Sequence, residues 1–161
     1  MHVRTTKTVT YAGARLAIDA AMAQADALGV VVNIAVTDNS GTLLAFARMD
    51  GAFAFSGPIA IDKAKTVCGF AGIPSDDLYG NIAGEPAVRD GIAPRAEVAA
   101  FAGGVPILIG EDLAGAVGVS GASAEEDKQV ATAGAAALAG PPDPEIGFHV
   151  DGTGHDSQAS P

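Results

Sequence analysis

Two β-branched stretches joined by a strong turn signal place the tightest constraint on how this chain can fold. Residues 30–37, VVVNIAVT, are too short and too rich in β-branched side chains to form a helix. Residues 38–41, DNSG, combine turn-favouring side chains with a glycine. Residues 42–49, TLLAFARM, supply a second strand that ends at Asp50 and Gly51. The pattern predicts an antiparallel β-hairpin.

Helical patterns lie on both sides of this hairpin. Residues 14–28 place small apolar side chains on one helical face, after an N-cap at Thr10 and before a terminating Gly29. Residues 58–70 predict a second helix, with Pro58 in its first turn.

The second half of the chain repeats the order of strands followed by a helix. Short helices are expected within residues 72–96, and strands are expected at residues 98–101, 105–109 and 113–120. Ser123 and Glu126 have capping-box spacing, which predicts a last helix that ends near Leu138. The acidic residues Glu125 and Asp127 are explained by the same helix end, because its dipole favours negative charge.

The expected fold class is α/β of the α+β type, with a central antiparallel β-sheet covered by helices. The predicted order is α-β-β-α-(short helices)-β-β-β-α. At 161 residues a single domain is expected, covering residues 1–139. Residues 140–161 are rich in proline, glycine and acidic side chains, which predicts a flexible tail.

Composition limits the classes of function. A net charge of −10 argues against non-specific binding to nucleic acid or to an anionic membrane. No apolar run approaches the roughly 20 residues that span a bilayer, and the N-terminus lacks a signal-peptide core, so we expect a cytoplasmic protein. Alanine is the most frequent apolar residue and tryptophan is absent, which favours close backbone packing that continues across the interface of a homo-oligomer.

Charged side chains at the end of the hairpin form the first candidate site. Arg48 can form two parallel hydrogen bonds to a ligand carboxylate, while Asp50 accepts or donates a proton. A structural ion pair that holds the loop is the alternative. The apolar segment that follows contains Phe53 and is expected to line or cover a small cavity.

The second predicted helix carries three further candidates. Asp62 and Lys65 share a helical face, so a simple surface pair is one interpretation. Because the rest of the helix is rich in Ala, Ile and Val, a partly buried Lys63 or Lys65 with a shifted pKa is the other.

The connector and the glycine pair after it complete the candidate set. Arg95 is one of three basic residues after Lys65, which makes it a candidate for binding an anion, and Glu97 is a candidate acid or base. The Gly103-Gly104 loop is expected to bound the pocket. Cys68 is interpreted as a small buried hydrophobe. The sequence has no metal-ligand spacing, phosphate loop or serine-nucleophile elbow.

Several segments, in the right order, resemble the GlcG/HbpS family of haem-binding-like proteins. They are ALGVVVNIAVTDNSGTLLAFARMDGA, AIDKAKT, the Gly-Gly-Val-Pro-Ile segment and GAVGVSGASAEED, within residues 8–138. The resemblance implies a compact α/β domain with a central antiparallel sheet, assembled into dimers and higher homo-oligomers. It also implies haem as the cofactor of some members, while a related domain accompanies corrinoid adenosyltransferases and other members accompany catabolic enzymes.

The histidines depart from the haem-binding pattern of that family, in which a histidine near the first helix can bind the iron. Here the histidines lie only in the terminal segments, at His2, His149 and His155. An axial ligand would have to be a tail histidine of another subunit or one of Cys68, Met22, Met49, Tyr11 and Tyr79.

Two main functions remain open. The first is a homo-oligomeric protein that binds a small planar or anionic ligand, with haem implied by resemblance. Its ligand-binding residues would be Arg48, Phe53, Asp62, Lys63, Arg95, Gly103 and Gly104. The second is an enzyme, such as a hydratase, tautomerase, decarboxylase or hydrolase, that transfers protons on a small carboxylate or oxo acid. Asp50, Lys65 and Glu97 are its predicted catalytic residues. An assembly module without pocket chemistry is a third interpretation.

Overall fold

The computed structural model describes residues 2–139, which form five helices and one four-stranded sheet. In chain order the elements are α1 (Tyr11–Leu28), β1 (Asn33–Asp38), β2 (Leu43–Arg48), α2 (Ser56–Gly69), α3 (Ser75–Ile82), α4 (Pro86–Ile92), β3 (Gly104–Ile109), β4 (Asp112–Ser120) and α5 (Ala124–Ala136). The α+β fold with a central antiparallel sheet is therefore confirmed. The predicted tail, residues 140–161, lies outside the described residues.

The three caps predicted for α1 and α5 are present. Thr10 Oγ1 accepts a hydrogen bond from Gly13 N at the start of α1, and Gly29 ends that helix with a left-handed φ of 70°. At the start of α5, Ser123 and Glu126 form a complete capping box. These local signals fix where each helix begins, because side-chain acceptors satisfy N–H groups that have no partner within the helix.

The sheet has the strand order β2-β1-β4-β3, and all neighbouring strands are antiparallel. Alternate residues of β1 and β4 face opposite sides of the sheet. One face packs on α1 and α5 through the main apolar core, which includes Ile34, Val36, Val117 and Val119. The other face packs on α2, where Ala116 contacts Ala64 and Val67.

The predicted strand at residues 98–101 is wrong. In place of a strand ladder, Val98 N donates to Arg95 O at 3.2 Å within the connector, and two other backbone groups of the segment bond to side chains. Ala99 N donates to Thr66 Oγ1 at 2.9 Å, and Phe101 O accepts from Ser75 Oγ at 2.5 Å. The apolar character of the segment reflects packing against α2 and α3, since Ala99 is buried.

Within residues 2–139, no helix is both long enough and apolar enough to cross a membrane.

Candidate functional site

The loop after β2 is held by side-chain bonds to its backbone. Arg48 donates from Nε and Nη2 to Ala52 O at 3.1 and 2.8 Å, and Asn33 Nδ2 donates to Phe53 O at 2.9 Å. The Arg48 guanidinium therefore holds the loop by hydrogen bonds to the Ala52 carbonyl and not by an ion pair with Asp50, which is exposed. Neither Arg48 nor Asp50 lines the two cavities described below, so their predicted roles at a ligand stay predictions.

The first cavity is a groove of about 690 Å³, which we call the Lys65 groove. It lies between the β1–β2 turn, the outer face of α2 and the connector before β3. Its apolar side chains are Leu43, Ile61, Phe70 and Val98, and its charged side chains are Lys65 and Glu97. Ser40, Gly41, Thr42, Thr66, Gly69 and Ala96 complete the lining. A concave, mostly apolar surface with a few polar groups is typical of a small-molecule site.

Two predicted catalytic residues meet at this groove. Lys65 Nζ donates to Glu97 Oε1 across the groove, from α2 to the connector. That hydrogen bond raises the pKa of Lys65 and lowers the pKa of Glu97, so the pair is charged at neutral pH. Asp62 differs, because burial raises the pKa of its carboxyl while the nearby Lys65 opposes the rise. The groove thus presents one lysine paired with the Glu97 carboxylate.

The second cavity surrounds the buried amine of Lys63, and we call it the Lys63 pocket. Its volume is about 220 Å³, and its lining residues are Phe53, Ser56, Lys63, Phe101, Ser120, Gly121, Ala122, Ala124 and Asp127. Lys63 is only 1% exposed, whereas Phe53 and Phe101 are 69% and 50% exposed. The pocket therefore leads from two exposed aromatic rings down to a buried lysine.

Lys63 connects α2 to the end of β4 and the first turns of α5. Its Nζ donates to Val119 O at 2.8 Å and to Asp127 Oδ2 at 2.9 Å, and it lies 4.8 Å from the centroid of the Phe101 ring. Asp127 Oδ1 accepts from Ala122 N at 3.0 Å, which fixes the orientation of the carboxyl group.

Burial acts against the charge on both members of this pair. It lowers the pKa of Lys63 and raises the pKa of Asp127, although their mutual hydrogen bond and attraction oppose both shifts. The pair therefore differs from the exposed Lys65–Glu97 pair, in which charge is favoured on both groups. Perturbed titratable groups in a cleft are candidates for function.

Gly103 and Gly104 shape this region by leaving room for other residues. A Cβ at Gly103, whose φ is 121°, would meet Val119 O and would lie 2.7 Å from Lys63 Nζ. A Cβ at Gly104 would lie 2.6 Å from Lys63 O and 2.8 Å from Ser75 Oγ. A side chain at either position would collide with Lys63, so glycine at both positions allows Lys63 to lie where it does. Arg95 is exposed in the connector and lines neither cavity.

A family model described as haem degrading protein HbpS-like matches residues 9–136. The chain belongs to the HbpS-like family. It is also 32% identical over 133 residues to an uncharacterized 15.0 kDa protein in the dhaT-dhaS intergenic region of Citrobacter freundii, covering 77% of this chain and 87% of that protein.

Solved structures agree with this HbpS-like assignment. HbpS itself superimposes with a TM-score of 0.75 at 32% identity, covering 85% of this chain and 94% of that chain. The PduOC:heme complex gives a TM-score of 0.72 at 26% identity, covering 81% of this chain and 95% of that chain. The predicted family resemblance is confirmed.

The candidate iron ligands of this HbpS-like chain are dispersed. Met22 and Met49 pack against the main core, whereas Tyr11 and Tyr79 are 62% and 47% exposed. The Cys68 thiol contacts Asp38 O at 3.2 Å and Thr37 Oγ1 at 3.4 Å, and burial raises its pKa. His149 and His155 lie outside the described residues. The Lys65 groove and the Lys63 pocket are each lined without histidine, methionine, cysteine or tyrosine.

Sequence reasoning missed most of the Lys63 pocket, including Asp127, Phe101 and Ser120. Asp127 was explained as part of an acidic helix start, yet it is buried while Glu125 is exposed. A signal was present, because Asp127, Val130, Ala131 and Gly134 share the apolar face of α5. Phe101 and Ser120 come from distant segments, which only the folded chain brings together.

Proposed function

We propose that this HbpS-like protein binds a small planar ligand with an anionic group in the Lys65 groove. The observation that carries the proposal is the combination in one groove of an apolar lining with a single lysine. The volume of about 690 Å³ lies within the range of small-molecule sites, roughly 300–1,000 Å³. The solved haem complex of the neighbour PduOC supports a planar ligand for a protein of this fold.

The side chains of the groove suit two parts of such a ligand. Leu43, Ile61, Phe70 and Val98 offer apolar contact to a flat ring system. Lys65 offers an ammonium group to a ligand carboxylate, in place of its present contact with Glu97. Because both Lys65 and Glu97 are partly or largely exposed, exchanging this ion pair for a ligand carboxylate costs little.

Haem fits this groove in part. The macrocycle and its carboxylates match the apolar lining and the lysine, whereas no lining residue is a usual iron ligand. We therefore expect recognition of the planar ring and its carboxylates, without coordination of the metal by the groove.

Titration with haemin and with iron-free protoporphyrin tests the proposal. If the ring and carboxylates are recognised, both compounds saturate at the same stoichiometry, with Kd values within about tenfold, or about 1.4 kcal/mol. Lys65→Met should weaken the binding of both compounds several-fold, because the ligand carboxylate loses the cation that it contacts. Lys128→Met is the matched control, since Lys128 forms an exposed ion pair with Asp76 outside the groove.

Two results would contradict this function. Binding of haemin alone would show that an iron ligand outside the groove dominates. Equal binding by wild type, Lys65→Met and Leu43→Glu would place the ligand elsewhere, because Leu43 lines the groove and is 40% exposed.

A further inference from the structure

The Lys63 pocket has features that the proposed ligand-binding function leaves unused. The side chain of Lys63 is only 1% exposed, yet it forms part of the wall of a cavity of about 220 Å³, together with its partner Asp127 and the ring of Phe101. The buried amine, its proton acceptor and an opening to the surface therefore occur at one place.

The geometry allows the Lys63 amine to pass its proton to Asp127, and this transfer leaves the net charge of the pocket unchanged. Nζ and Oδ2 of Asp127 are 2.9 Å apart, so one proton can move along an existing hydrogen bond. Burial favours the neutral form of each partner. Val119 O and Ala122 N hold the amine and the carboxyl group in position during the transfer.

We propose that Lys63 captures a small uncharged aldehyde or ketone in this pocket as an imine. The neutral amine attacks the carbonyl carbon and forms the new C–N bond, and a proton passes from nitrogen to oxygen. The hydroxyl group then leaves as water with the proton held by Asp127. The product is a protonated imine paired with the Asp127 carboxylate, so charge and atoms balance and no oxidant is required.

The pocket also selects the class of carbonyl compound. Its volume lies below the range for drug-sized ligands, and Phe53 and Phe101 offer apolar walls. Unlike the exposed Glu97, the buried Asp127 carboxylate is also held by Ala122 N and does not turn out to solvent, so Lys63 stays neutralised and the pocket has no spare cation for an anionic oxo acid. Ser56 and Ser120 line the same cavity and provide hydroxyl groups for the carbonyl oxygen.

The other three lysines provide internal controls. Lys7, Lys65 and Lys128 form surface ion pairs with Asp112, Glu97 and Asp76. The hydrogen bonds that Lys65 and Lys128 donate to Glu97 and Asp76 raise the pKa of each lysine, so both amines remain protonated in mildly acidic buffer. Lys63 is the lysine expected to be unprotonated often enough to react.

Reductive trapping of the full-length protein tests the inference. Butanal and cyanoborohydride are added near pH 6, and peptide masses locate the alkylated lysines. Lys63 should react several-fold faster than the other lysines, since burial lowers its pKa and raises the fraction of neutral amine. Pyruvate should react more slowly than butanal at Lys63. Unfolding the protein in urea should abolish the preference.

Three variants test whether the labelling of Lys63 depends on the pocket. Lys63→Arg should lose the adduct, and Lys7→Arg, at an exposed ion pair outside both cavities, should keep it. Phe53→Ala should slow labelling of Lys63 several-fold, because an exposed side chain that forms the apolar wall is removed without disturbing the core. If the folded wild type is labelled only at the other lysines, or is not labelled, the inference is wrong and Lys63 is a structural ion-pair partner.

Discussion

At the scale of single residues, Gly118 controls how closely α2 approaches the sheet. It lies in β4 opposite Ala35 of β1. A Cβ at this position would meet Ala60 O and would lie 2.7 Å from Ala64 N, both in the backbone of α2. The close approach holds the helix that carries Lys63 and Lys65, so both candidate cavities depend on it.

We predict that Gly118→Ala destabilises the fold by at least about 3 kcal/mol, because backbone atoms must move to admit the methyl group. Gly80→Ala in α3 is the matched control, since a Cβ there meets no atom within 4 Å. The control should stabilise the protein by up to about 1 kcal/mol through better helix propensity. Urea unfolding of both variants measures the difference, and equal midpoints would contradict the close packing.

The residue scale also shows how much of the site the sequence could predict. The candidates Lys63 and Phe53 line one pocket, and Gly103 lies against Lys63. Each stood out in the sequence by charge, aromaticity or conformational freedom, whereas their roles at a ligand stay predictions. Asp127 did not stand out, because a helix start explains an acidic residue equally well. Its partner Lys63 lies 64 positions away in the sequence, so the pair depends on the tertiary fold and local sequence patterns do not reveal it.

At the scale of elements, the hairpin turn between β1 and β2 is held by the Asp38 carboxylate. Asp38 Oδ1 accepts from Ser40 N at 2.8 Å, Ser40 Oγ at 2.7 Å and Thr42 N at 2.9 Å. Burial raises the pKa of Asp38, but these hydrogen bonds outweigh it, so the pKa lies below its ordinary value of 3.8. The ionised form therefore stabilises the folded turn.

The pH dependence of this contribution follows from the lowered pKa. The stabilisation is complete above the unfolded pKa and disappears as pH falls through the folded pKa. We predict that Asp38→Asn costs about 1 kcal/mol at neutral pH and that the difference from wild type narrows below about pH 3. Unfolding free energies at both pH values measure it. Asp50→Asn, an exposed control, should change stability by less than about 0.5 kcal/mol.

Element boundaries followed the sequence closely where the chain carries explicit start and stop signals. Thr10 and Gly29 bound α1, and the turn before Leu43 bounds the hairpin. Residues 98–101 carried an apolar pattern without such signals. Two of their backbone partners are the hydroxyl groups of Thr66 and Ser75, which an apolar pattern cannot distinguish from a neighbouring strand.

At the scale of the whole molecule, the two edges of the sheet differ in their capacity to pair. β3 carries Pro106, which lacks the N–H needed for a strand ladder. β2 has no proline and includes the exposed apolar side chain of Phe46. Immediately before α2, Phe55 is 90% exposed. An open edge beside apolar side chains favours association through β2.

We propose that the partner on this edge is a second copy of the chain, in keeping with the homo-oligomer expected from the sequence. Antiparallel pairing of β2 with its own copy is symmetric, so one surface serves both subunits. It would join two four-stranded sheets and cover Phe46 of each copy. Light scattering coupled to gel filtration should therefore give a mass of at least twice the chain mass.

A charged side chain introduced on the β2 edge tests this association directly. Phe46→Glu places two like charges near the symmetry axis and should weaken association by at least about tenfold, or about 1.4 kcal/mol. Leu16→Glu makes the same change on α1, at a residue that is 59% exposed on the opposite side of the sheet, and should leave the mass unchanged. A monomeric wild type would contradict association itself. Dissociation by Leu16→Glu alone would show that the subunits meet through α1, since a β2 contact would be insensitive to charge there.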